Sequence, residues 1–162
     1  IRDFFAQDPV KIKQGLRQAN GILSYVERLG CALVPEQLAN LPRYRARRLR
    51  QLTCGQMLLV AQWEHESWRA LHEQLGFRYA ERNADGTRPT GANEYLLDWD
   101  SLCETPETDA APLPADAPRD AALAKLWDTR ARNDIAFACG IVGKLQSIGL
   151  SVINETYRPP SR

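Results

Sequence analysis

The chain reads as a mainly α-helical domain with short β-strands, arranged as two related helix–glycine–strand units. Three observations predict this class. Apolar residues recur at three- and four-residue spacing over about 9–29, 53–75 and 118–148, the period of one helix face. Gly30, Gly76 and Gly149 follow those stretches, where a left-handed residue ends a helix. Setting Gly30 on Gly149 aligns LRQANGILSYVERLGCALV (16–34) with IAFACGIVGKLQSIGLSVI (135–153). Ala19, Gly21, Ile22 and Gly30 then meet identical residues, and six further positions exchange one aliphatic for another. The repeat implies two helix–strand units whose strands lie beside one another.

The elements follow in order. Over 9–29, Ile12, Leu16, Ala19, Leu23 and Val26 mark one helix face, with Asp8 as cap and Pro9 at the first helical position. Cys31 to Val34 reads as a short strand ended by Pro35. Pro42 opens a predicted helix carrying five arginines between 43 and 50, which sets Arg43, Arg47 and Arg50 on one face. The main amphipathic helix spans 53–75. Residues 77–89 read as extended and then turned at Asp85-Gly86. Residues 96–102 lead into a short helical turn, and 105–120, with four prolines and no aromatic, form a solvated loop. The last helix, over 118–148, is expected to break near 130–134. The organisation expected is therefore a helix–strand unit with an Arg-rich helix over 1–52, a main domain over 53–155 and a tail over 156–162.

Composition bounds the function. The chain has 162 residues, 44% of them hydrophobic, and a net charge of +1, which suits a folded domain and excludes extensive disorder. The neutral total hides a basic front (+6 over 1–60) and an acidic back (−5 over 61–162). No run of about 20 apolar residues exists to cross a membrane. The opening IRDFFAQDPV holds Asp3 and Asp8 and lacks the basic-then-apolar order of a signal peptide. A start at Ile1 leads to the expectation of a segment of a larger protein. Cys31, Cys54, Cys103 and Cys139 make no C-x-x-C or Cys/His cluster, so neither a zinc site nor a disulfide framework is expected. The expected compartment is cytoplasmic.

The densest polar group is Trp63-Glu64-His65-Glu66-Ser67-Trp68-Arg69, with His72 one turn on. At about 100° per residue, Met57, Val60, Ala61, Leu71 and Leu75 define one arc of that helix. Glu64 falls inside the arc, Trp68 at its edge, and His65 and His72 just beyond. A carboxylate in a core-facing stripe needs hydrogen bonds or a counter-charge, so Glu64 reads either as a structural group or as part of a site. Trp68 between two imidazoles reads either as core or as the wall for a planar ligand. His65 and His72, seven apart, do not make the metalloprotease i, i+4 pair, and no metal or other cofactor is expected. Neither a phosphate-cradling glycine loop nor a nucleophile–base pair is present, so no catalytic residue is assigned.

Residues 58–102 and 134–153 resemble the ryanodine-receptor (RyR) domain family in its divergent bacterial form. The likeness rests on Glu64-His65-Glu66-Ser67-Trp68, matching [E/I]-H-x-x-W, and on Gly76-Phe77-Arg78-Tyr79-Ala80, matching G-[W/F]-x-Y-[G/A]. It continues through Arg82-Asn83, the segment Leu96-Leu97-Asp98-Trp99-Asp100-Ser101-Leu102, Asn133-Asp134 and the Ile148-Gly149 strand entry. Asp98 stands where the family carries proline, and Asn93-Glu94 where it carries His-Pro.

The resemblance implies a mainly helical, non-enzymatic regulatory domain that binds a nucleotide or nucleotide-derived molecule and signals to an attached or partner effector. Bacterial members accompany ion-channel, nucleotide-sensing and conflict-system modules, so a place in anti-phage defence is within its implications. Carried over by position, the base stacks on Trp68 with His65 beside it. Glu64, His72, Tyr79 and Trp99 complete the ligand-facing set. Arg69 and Arg82, with Arg132 and Lys144, are the cations expected to meet phosphate. A single H-x-x-W motif implies a homodimer in which two Trp68 rings enclose the ligand. The competing readings are a protein-interaction module using the Arg43–Arg50 helix and the 105–120 loop, and a nucleic-acid binder through that same helix.

Overall fold

The computed structural model of the protein describes residues 9–107, 112 and 120–156. It is mainly helical with a few short strands. The expected Asp8 cap, most of the 105–120 loop and residues 157–162 of the tail lie outside the described residues.

Two helix–glycine–strand units meet through their strands. Helix α1 (Pro9–Arg28) leads through Gly30 into β1 (Cys31–Pro35). At the other end α7 (Arg132–Ser147) leads through Gly149 into β5 (Leu150–Asn154). Both glycines have positive φ, +68° and +80°, where a side chain would strain the backbone. β1 and β5 pair antiparallel from Cys31↔Asn154 to Pro35↔Leu150. β2 (Arg48–Leu49) takes the other edge of β5, so β5 is central and buries Ser151, Val152 and Ile153, while β3 (Arg78–Tyr79) and β4 (Ala92–Asn93) form a separate parallel pair. Strands β1 and β2, from the part before α4, thus share one sheet with β5.

The core lies between that sheet and the pair α4 (Cys54–Gln74) and α7. Thr53 opens α4 with a capping box: Thr53 Oγ1 accepts from the Gln56 backbone N–H, and the Gln56 side chain accepts from that of Thr53. Met57, Val60 and Ala61 of α4 and Ile135, Ala138, Ile141, Val142 and Leu145 of α7 fill the centre. Two short helices close it, α5 (Trp99–Glu104) with Leu102 and α6 (Ala121–Trp127) with Leu123 and Trp127. Asp98 caps α5 by accepting from Ser101 N and Oγ, both at 2.9 Å. Among the described residues no helix is long and apolar enough to cross a membrane.

Three expectations need correction. The arginine-rich segment is not a continuous helix. After α2 (Glu36–Ala39), α3 (Pro42–Arg45) stops after four residues and the chain enters β2. A run of arginines offers a helix no apolar face, whereas the open edge of β5 offers backbone pairing. Asn154 N–H donates to Arg47 O at 2.9 Å, and Leu52 is buried at the segment's end. Arg43, Arg47 and Arg50 therefore share no helix face.

The second correction concerns α1. Leu16 and Leu23 are 62% and 53% exposed; of the expected face Val26 is buried, together with Tyr25, which lay outside it. The reason is Glu64, whose partners Arg17, Gln18 and Tyr25 all come from α1. Burying one more leucine is worth about 1.5–3 kcal/mol, less than the several kcal/mol of a buried charge left unpaired.

The third is the stripe on α4. Its buried face follows Met57, Val60, Ala61, Glu64, His65 and His72, so the histidines lie inside it, while Leu71 and Leu75 are half-buried. The expected break in the final helix is present, at 128–131 between α6, which begins at Ala121 under an Asp120 cap, and α7.

Candidate ligand-binding cleft

Glu64, His65, Trp68 and His72 recur on one face of α4, facing α1 and the first turn of α7. The Glu64 carboxylate is fully engaged. Arg17 forks onto it with contacts of 2.5 and 3.2 Å, Gln18 donates at 3.2 Å and the Tyr25 hydroxyl at 3.1 Å. Burial first, then the Glu64 charge and hydrogen bond, push the Tyr25 phenol up to about 12. Glu64 is thus a structural carboxylate that joins α1 to α4, and it presents Arg17 at the cleft wall.

His65 is 2% exposed. Its Nε2 donates to the Leu97 carbonyl at 2.8 Å and its Nδ1 faces Asp134 Oδ2 at 3.2 Å. A carbonyl can only accept, so Nε2 carries hydrogen, and the next proton is shared between Nδ1 and Asp134. Burial pulls the imidazole pKa down. The bonds to Asp134 and Leu97 and the Asp134 charge outweigh it and hold His65 above its ordinary value. Burial likewise raises Asp134, with the His65 hydrogen bond opposing.

His72 donates from Nδ1 to Trp68 O at 2.9 Å and accepts at Nε2 from Gln14 at 2.9 Å. Its ring centroid lies 4.0 Å from that of Trp68, with Phe77 edge-on at 5.4 Å. His72 therefore backs the indole and fixes its angle.

In front of Trp68 opens a cleft of about 520 Å³. Gln14, Gln18, Asn93 and Asn133 place four carboxamides around it; Tyr95 and Phe137 add aromatic surface. Arg17, Arg88 and Arg130 supply cations. Arg88 meets Glu94 through contacts of 2.8 Å, and Arg82 lies 2.9 Å from the same buried carboxylate. Burial alone would raise Glu94, but the Arg88 hydrogen bond and the two guanidinium charges hold it below the usual range. Arg130 grips Glu81 at 2.7 and 2.9 Å and donates to Glu94 O at 2.7 Å. The Arg130 bond, then that from Tyr79, bring Glu81 down to about 2.

Of the residues expected from the sequence, the structure gathers Trp68, His65 and Glu64 at this cleft. His72 stands behind Trp68. Trp99 packs beside His65, centroids 6.0 Å apart, and Arg69 reaches Leu97 O at 3.4 Å while pairing with Glu73. Tyr79 is 45% exposed and donates to Glu81. Arg82 and Arg132 line a neighbouring cleft of about 540 Å³ behind Tyr95 and Arg130. Lys144 lies over the Phe137 ring at 5.1 Å. The lining supplied by α1 was not expected. Its signal was the i, i+3, i+4 spacing of Gln14, Arg17 and Gln18, a polar stripe facing a helix that buries a carboxylate. Arg88, Tyr95 and Arg130 had no such signal, because loops carry them.

No protein-family model, curated protein or solved structure matches this chain.

Proposed function

We propose that this chain is a non-catalytic, RyR-like regulatory domain that binds a nucleotide or nucleotide-derived molecule in the Trp68 cleft and passes that binding to an attached or partner effector. The observation that carries the reading is the lining itself. One half-buried indole, backed by His72, shares a concave space with four carboxamides and three guanidinium groups. Indole offers a stacking face worth about 1–3 kcal/mol per base. Carboxamides pair with the donor–acceptor edge of a purine, and guanidinium forks suit phosphate. In this reading the phosphate meets Arg17, Arg88 and Arg130 on the cleft wall, where it competes with their carboxylate partners Glu64, Glu94 and Glu81, while Arg69, Lys144 and the second-cleft Arg82 and Arg132 lie off that wall. In the two-fold form of the proposal, Trp68 of each copy encloses the ligand, and sedimentation with and without nucleotide tests it.

The test is a thermal-shift screen with mono-, di- and triphosphates, cyclic nucleotides, NAD and ADP-ribose. Saturation at 100 times Kd adds about 2.7 kcal/mol, or several degrees at roughly 2–4 °C per kcal/mol. Trp68→Ala should abolish the shift and Trp68→Phe should retain part of it, both with native circular dichroism. A shift unchanged in folded Trp68→Ala removes the reading.

A second reading, a protein-interaction module without a small ligand, is favoured by the exposed Leu16 and Leu23 on α1. It predicts a partner whose capture is lost in Leu16→Glu/Leu23→Glu and kept in Trp68→Ala.

A further inference from the structure

Residues 36–52 carry five arginines and a single carboxylate, Glu36. On a continuous helix Arg45, Arg48 and Arg50 would fan across more than half the circumference. The break from α3 into β2 gathers them instead around one pocket of about 420 Å³, closed by Asn40, Ala39 and Gln146 of α7. This pocket shares no lining residue with the Trp68 cleft.

One side of it is held in place. Arg48 pairs with Glu36 at 2.6 Å, and Glu36 in turn accepts from the fully buried Ser151 hydroxyl on β5. Arg48 Nε is shielded from solvent and has no hydrogen-bond partner. Arg45 and Arg50 make no ion pair among the described residues, so two uncompensated positive charges border a concave space. The carbonyl end of α7 opposes an anion there, but it is a partial charge set against the two whole charges of Arg45 and Arg50, Arg48 being paired with Glu36.

We propose that this pocket is a binding site for a compact phosphate-bearing anion, pyrophosphate or a phosphomonoester, independent of the Trp68 cleft. Planar guanidinium groups converging from several directions match tetrahedral oxyanions through charge-assisted forks. A nucleic-acid strand is disfavoured by the geometry. The site is a bounded pocket rather than a stripe, and the one aromatic of the segment, Tyr44, lies under its own neighbour Arg43 at 4.6 Å.

The experiment is calorimetric titration of the whole chain with pyrophosphate, tripolyphosphate and a single-stranded oligonucleotide at two salt concentrations. Saturable pyrophosphate binding is expected, about tenfold weaker in Arg45→Ala or Arg50→Ala and on the order of a hundredfold weaker in the pair, from lost charge-assisted bonds. Both side chains are exposed, so the fold stays intact, and Trp68→Ala should bind pyrophosphate as the unaltered chain does. Absence of saturable binding overturns the proposal, as does undiminished affinity in the double variant. An oligonucleotide that binds more tightly than pyrophosphate, with affinity falling steeply in salt, also overturns it. Loss of pyrophosphate binding in Trp68→Ala would place the anion in the other cleft.

Discussion

Asp134, in the first turn of α7, faces His65 of α4 across 3.2 Å, and the same imidazole reaches Leu97 O on its opposite side at 2.8 Å. Three separate parts of the chain are thereby tied at the base of the cleft by one buried ring.

That arrangement sets a pH dependence. His65 and Asp134 both have folded pKa values above their ordinary ones, so the folded state binds more protons than the unfolded state in that window. The His65 contribution is complete below about pH 6.5 and is lost as pH rises through its folded pKa; the Asp134 contribution has the same sign. Melting temperatures followed from pH 6 to 9 should fall more steeply in the unaltered chain than in Asp134→Asn. Parallel slopes would show that the pair does not share a proton.

Breaking the Arg17–Glu64 fork should be costly. Glu64→Gln leaves Arg17, 14% exposed at its side chain, without a counter-charge. The expected loss is about 3 kcal/mol, read as a lower urea midpoint. Arg17→Met with Glu64→Leu should recover part of it, since an apolar pair removes both charges, while Gln18 loses its acceptor and the Tyr25 hydroxyl keeps only Trp63 O at 3.3 Å. Equal losses in the single and double variants would contradict this.

Gly30 and Gly143 should respond in opposite directions to alanine. At Gly30, φ is +68° and an added Cβ would lie 2.8 Å from Thr156 Cγ2, so Gly30→Ala is expected to cost about 1–2 kcal/mol or more. Gly143 sits within α7 with nothing within 4 Å of an added Cβ, and its alanine variant should gain about 0.5–1 kcal/mol. Thermal denaturation of the two variants decides it.

The rotation of α1 also has a measurable consequence. Leu16→Gln and Leu23→Gln should leave stability within about 0.5 kcal/mol, whereas Val26→Ala should cost about 2 kcal/mol. A large loss from Leu16→Gln would mean that the predicted apolar face is buried after all.

Local signals make the helices legible in the amino-acid sequence. The Thr53 capping box, the glycine stops at 30, 76 and 149, and the Pro42 helix start all act within a few residues, so spacing alone reveals them. The likeness of 16–34 to 135–153 likewise points to the β1–β5 pairing. The polar cluster at 64–72 is visible because polar residues in a buried helical stripe break the pattern. Tertiary structure decided what those residues do. Glu64 became a structural anchor only because Arg17, Gln18 and Tyr25 approach from α1, and that demand turned Leu16 and Leu23 to solvent. Arg48 entered a strand because β5 had an open edge. Charge pairing and sheet edges join residues distant in the chain, and neither leaves a period to read.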